Sequence, residues 1–96
     1  MNYVTAHHVL SILTAQADRF DSHTVEREFR SKHPELFVAE FSHFASSTDP
    51  LKAFSMRFGR WLLDTFPHVI RPTQKVKSNN LRERLSGNQE WQLIHQ

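Results

Sequence analysis

Residues 49–66 read DPLKAFSMRFGRWLLDTF and residues 67–91 read PHVIRPTQKVKSNNLRERLSGNQEW, and the change of period between them decides the fold class. Asp49 followed by Pro50 is a strong helix start, because an Asp side chain caps the first free N–H groups and Pro fits the first helical position. From there Leu51, Phe54, Phe58, Trp61, Leu62 and Thr65 recur at spacings of 3, 4 and 7, which gives one apolar face to a helix that should stop at Phe66, before Pro67. Beyond Pro67 the period falls to two. Ile70, Pro72, Gln74 and Val76 alternate with Val69, Arg71, Thr73, Lys75 and Lys77, as in a half-wet strand that Pro72 consigns to a sheet edge. Ser78, Asn79 and Asn80 then open a loop that Ser86, Gly87 and Asn88 close, and Glu90 to His95 returns as a strand with Trp91, Leu93 and His95 facing together.

Upstream the pattern is helical throughout. Ala6, Val9, Leu10, Leu13, Ala17 and Phe20 follow the possible cap Thr5 at helical spacing and predict a first helix over 5–19. Asp21 and Ser22 supply cap chemistry for a second, with Val25 and Phe29 four apart, ending near Lys32 because Pro34 disfavours a helical His33. Pro34 and Glu35 suit the start of a third, along which Phe37, Phe41 and Phe44 form a stripe. Ser46 to Thr48 connects it to Asp49. The expectation is a single α+β domain over 1–96: four helices followed by a C-terminal β-hairpin.

Ninety-six residues with 39% hydrophobic content, eight Phe and two Trp suffice for one modest core. The formal charge is only +2, but its distribution is uneven. Residues 1–48 hold four Lys or Arg against six acids, and residues 49–96 hold eight against four. From Arg71 to Arg84 five cations, Arg71, Lys75, Lys77, Arg82 and Arg84, stand against the single anion Glu83. A mildly acidic half thus carries a basic one, as a surface built for a polyanion would require.

The helix at 50–66 and the basic ribbon after it resemble the winged helix-turn-helix family. The segment FSMRFGRWLL, 54–63, is similar to the recognition helix of winged domains at the ends of viral and phage primase-helicases, where a small residue and a Gly precede the final hydrophobic turn. There too a strand, a basic loop with a glycine and a closing aromatic-containing strand follow. The resemblance implies binding to double-stranded DNA without catalysis, in a regulator or an accessory factor of replication or of phage or plasmid maintenance. Ser55, Arg57 and Arg60 would face the groove, and Arg71, Lys75, Lys77, Arg82 and Arg84 would meet phosphates, with Asn79, Asn80, Asn88 and Gln89 adding hydrogen bonds. Many winged domains act as two-fold pairs, and the first helix is the natural contact for a homodimer. The rival reading is a protein-interaction module that docks a partner through its aromatic third and fourth helices, with several of Phe37, Phe41, Phe44, Phe54, Phe58 and Trp61 exposed.

Other chemistries find little support. Without cysteine there is no disulfide, thiolate zinc site or cysteine nucleophile, which suits a reducing cytoplasm. No segment approaches the ~20 apolar residues of a membrane span. Among seven histidines, His43 stands three after Glu40 as in di-iron bundles, but those need a second such pair and further carboxylates. No serine lies between glycines as in a nucleophile elbow, so neither an enzyme nor a cofactor is expected. Gly59 in mid-helix costs about 1 kcal/mol relative to Ala and points to a packing reason, such as close approach of another helix.

Overall fold

A computed structural model describes residues 1–95. Its order is α1 (Ala6–Thr14), β1 (Arg19–Asp21), α2 (Ser22–Lys32), α3 (Pro34–Phe41), a 3₁₀ turn (Ser42–Phe44), α4 (Pro50–Thr65), β2 (Ile70–Asn79) and β3 (Leu85–Leu93). The three strands form an antiparallel sheet in the order β1-β3-β2. No described helix is long and apolar enough to cross a membrane.

The local start signals act as their chemistry dictates. Asp21 Oδ1 accepts from the Thr24 N–H at 2.9 Å, and Asp49 Oδ1 accepts from the Lys52 N–H at 3.2 Å, each carboxylate capping the helix it precedes. Pro34 and Pro50 occupy the first positions of α3 and α4.

The first helix is shorter than its periodicity suggests. It ends at Thr14, and Gln16 turns its side-chain amide back onto the Ile12 carbonyl at 3.1 Å, closing a free end. Residues 19–21, expected to lie at or beyond a helix end, form β1 instead, with Phe20 opposite Trp91 and Arg19 opposite Gln92. Phe20 reaches the core from this strand, so its spacing from Ala17 is not helical.

The hairpin is also longer than expected. Ser78 pairs with Ser86 and Lys77 with Gly87, so residues that look like loop are ladder, and only Asn80–Arg84 turn. β2 is an edge strand, as Pro72 requires, and a bulge sets Thr73 and Gln74 between the pairs Pro72↔Trp91 and Lys75↔Gln89. Pro72 and Gln74 are exposed, whereas Ile70 is buried and Val76 half-buried.

The core joins Val9, Ile12 and Leu13 of α1 to Val25 and Phe29 of α2 and to Phe54, Phe58 and Leu62 of α4, with Trp91 and Ile70 closing it from the sheet. Phe54 is its aromatic centre. The rings of Phe37, Phe41, Phe44 and Phe58 lie 5.4–5.8 Å from it, two of them edge-on. The expected stripe on α3 therefore packs inward onto α4.

Candidate nucleic-acid interface

Between α4 and the β2–β3 hairpin lies a cleft of about 610 Å³. One wall is α4, with Lys52, Met56, Gly59, Arg60 and Leu63. The other is the hairpin, with Lys75, Arg82, Gly87 and Gln89. The floor is the first turn of α2 with Trp91: Ser22, His23 and Glu26 line it.

What holds the hairpin at this angle is α2. The His23 N–H donates to Asn88 Oδ1 at 2.9 Å, and its ring Nδ1 lies 3.1–3.2 Å from the hydroxyl and carbonyl oxygens of Ser78. Arg27 donates to the Asn79 carbonyl, and Arg30 to the Leu81 carbonyl at 3.2 Å. Trp91 Nε1 donates to the buried Ser22 Oγ at 2.8 Å. Burial holds the His23 pKa below its ordinary value, so the ring stays neutral and can donate from Nδ1 to the Ser78 carbonyl. None of these anchors was legible in the sequence, because the acceptors of Arg27 and Arg30 are backbone carbonyls 52 and 51 residues away.

The turn has its own support. Asn80 Oδ1 accepts from the Arg82 N–H at 2.8 Å and the Arg84 N–H at 3.2 Å, while Glu83 takes a left-handed φ of 59°. A turn followed by one left-handed residue is the geometry of a three-residue hairpin loop. It presents Arg82 and Arg84 as exposed side chains.

The expected contact residues divide into groups. Arg60, Lys75 and Arg82 line the cleft, and Lys77 and Arg84 are exposed further along the hairpin. Arg60 pairs with Asp64 at 3.3 Å and Arg82 with Asp49 at 3.9 Å. Such exposed pairs contribute about 0–1 kcal/mol, so a phosphate can displace either carboxylate. Arg57 is exposed on α4 but does not line the cleft. Arg71 lies at the opposite end of β2, donating to Gln92 Oε1 at 3.0 and 2.6 Å, with roughly 25 Å of strand between it and the turn.

Ser55 turns inward. It is half-buried on the flank of α4 facing α2 and donates to Glu26 Oε1 at 2.6 Å, because it follows the core residue Phe54 and sits one turn after Leu51. Glu26 is 1% exposed, and its Oε2 has no hydrogen-bond partner among the described residues. Burial, with a smaller contribution from nearby Asp21, pushes its pKa up to about 7, against the opposing pull of Ser55 and Arg27.

Gly59 does not mark a close helix contact. A Cβ built there would meet only Ser22 Oγ, at 3.9 Å. Glu40 is not placed as a metal ligand either: its Oε1 accepts the N–H groups of Asn2, Tyr3 and Val4 at 2.9, 2.7 and 3.0 Å. Among the described residues no three His, Asp or Glu side chains converge as a metal site would require.

Compared with models of known protein families, with curated protein sequences and with solved structures, the chain has no match.

Proposed function

We propose that this chain is a non-enzymatic binder of double-stranded DNA of winged-helix type, with α4 entering the groove and the hairpin resting on the backbone. One observation carries the reading: α4 and the hairpin are the two walls of a single cleft, with Lys52 and Arg60 on one and Lys75 and Arg82 on the other. Cations on two rigid elements facing one gap suit a polyanionic strand lying across it, since each neutralised phosphate releases condensed counterions. A helix feeding into a cationic two-stranded ribbon that closes on Trp91 is also what the family resemblance implies. Arg57 extends the contact along α4. Arg71, hydrogen-bonded at the far end of the ribbon, is left out of it.

The burial of the aromatic side chains favours this reading over the interaction-module alternative: Phe54 and Phe58 are fully buried, and Phe37, Phe41, Phe44 and Trp61, each partly buried, pack against the core.

The test is fluorescence-anisotropy binding to a random 20-base-pair duplex across a salt series. The variant Lys75→Ala, Lys77→Ala, Arg82→Ala, Arg84→Ala should flatten the log-log salt slope by about 0.9 per cation removed, and Arg71→Ala should leave it unchanged. Absence of binding at low salt would remove the DNA reading.

A further inference from the structure

Two features of the cleft cost the fold stability without return inside the monomer. Gly59 weakens α4 in its middle. No tight neighbour requires it, since a Cβ would make one ordinary contact at 3.9 Å, and its φ is not positive. Beneath it, Glu26 Oε2 is shut off from water with no partner among the described residues, although Glu26 Oε1 is satisfied by Ser55. Both residues border the same cavity. Bare helix backbone on the wall and an acceptor lacking a donor at the floor are complementary to a flat occupant that presses against α4 and brings an N–H group with it.

The rim specifies the rest of that occupant. Lys52, Arg60, Lys75 and Arg82 line the cleft beside one exposed carboxylate, Asp49, which pairs with Arg82 at 3.9 Å, so the rim favours an occupant that carries phosphate. Met56 and Leu63 are exposed apolar side chains on the α4 wall, where a ring can lie. At about 610 Å³ the cleft falls within the ~300–1,000 Å³ range of small-ligand sites.

We propose that the cleft takes one unstacked nucleotide, with its phosphate on the cationic rim, its base against Met56 and the Gly59 backbone, and its exocyclic amino group donating to Glu26. This deepens the nucleic-acid reading and rests on it for the cationic rim. Adenine, cytosine and guanine carry the required amino group, whereas thymine and its unmethylated counterpart uracil do not. Above its pKa of about 7 the Glu26 carboxyl is ionised, and with Oε1 engaged by Ser55 its Oε2 is the one free acceptor, so the site then discriminates amino from carbonyl rather than among the three amino-bearing bases.

The probes are AMP, CMP, GMP and UMP, with inorganic phosphate as a control, titrated at about pH 8, where the Glu26 carboxyl is ionised, into ¹⁵N-labelled protein while the Gly59 amide and Trp91 indole resonances are followed. The three amino-bearing nucleotides should shift both signals, with UMP about tenfold weaker, the discrimination expected of one hydrogen bond to an otherwise unpaired buried group. Gly59→Ala should raise Tm yet weaken nucleotide binding about tenfold. Glu26→Met, which keeps the volume and removes the acceptor, should bring UMP and CMP to parity. Should that variant fail to fold, Glu26→Gln serves in its place: its amide can donate to the uracil carbonyl and should shrink the UMP penalty. Equal binding of all four nucleotides, the same shifts from phosphate alone, or wild-type binding by Gly59→Ala would overturn the proposal. Duplex binding with an unmoved Gly59 signal overturns this inference and leaves the DNA reading standing. Nucleotide shifts without duplex binding do the reverse.

Discussion

Position 26 holds a carboxylic acid with 1% of its surface exposed, inside a helix face otherwise built from Val25 and Phe29. From the sequence it reads, with Glu28, as a solvated carboxylate, because what covers it is α4, whose Ser55 lies 29 residues along the chain. The ionised form is disfavoured by burial, so its pKa stands near 7 in the fold against about 4.5 unfolded. The native state therefore binds the proton more tightly, and this group's contribution is most favourable below about pH 4.5 and is lost as pH rises to 7. The loss amounts to about 3 kcal/mol. His23 works in the opposite sense. Its pKa is depressed by burial, so its contribution is present above the ordinary histidine value and lost as pH falls. Glu26→Gln isolates the first effect: chemical denaturation should show the variant gaining on wild type by about 3 kcal/mol between pH 4.5 and pH 8. A difference that stays constant with pH would mean the carboxyl titrates normally.

Among the elements, those set by contacts within one turn were legible and those set by distant partners were not. Asp21 and Asp49 cap the helices they precede through their own N3 amides, a relation complete within four residues. β1 has no such local definition: three residues become a strand only because Trp91 and its neighbours lie alongside. Serine, asparagine and glycine at 78–79 and 86–88 carry the composition of a loop, yet they pair across the hairpin, and Asn88 and Ser78 are taken up by His23. Of the candidate contacts, Lys75 and Lys77 follow from alternation along β2, and Arg82 and Arg84 from their place in the polar turn. Ser55 does not, because its direction depends on where α2 lies. The turn offers an element-scale test. Glu83 adopts a left-handed φ of 59°, which suits glycine. Glu83→Gly should stabilise the domain by a few tenths to about 1 kcal/mol, after the added freedom of the unfolded chain is counted. It also removes the one anion of the loop, so duplex affinity at low salt should rise. A lower Tm would show that the strain lies elsewhere.

Across the molecule, the two charge halves of the sequence do not map onto two surfaces. Arg27 and Arg30 belong to the acidic half, yet both donate to hairpin carbonyls and tie that half to the basic ribbon. Glu40 makes a second long-range tie, one carboxylate oxygen gathering three successive N–H groups ahead of α1 and seating Val4 in the core. Glu40→Ala would leave those donors without their shared acceptor and should cost about 2–3 kcal/mol. That corresponds to a Tm lower by about 10–20 °C, with faster amide exchange at Asn2 to Val4. An unchanged Tm would show that solvent replaces the carboxylate without loss.

The hairpin is long for so small a body, and the domain measures 41 × 27 × 21 Å. Left to itself, a two-stranded ribbon in water would twist and sway. Here α2 grips it at residues 78, 79, 81 and 88, close to its tip rather than only at its base. The gap between the ribbon and α4 is consequently a fixed gauge, cut to one width before anything enters it. A guest of matching thickness engages both walls without waiting for either to close, so little motion has to be frozen on contact; a thinner guest touches only one wall, and a thicker one is kept out.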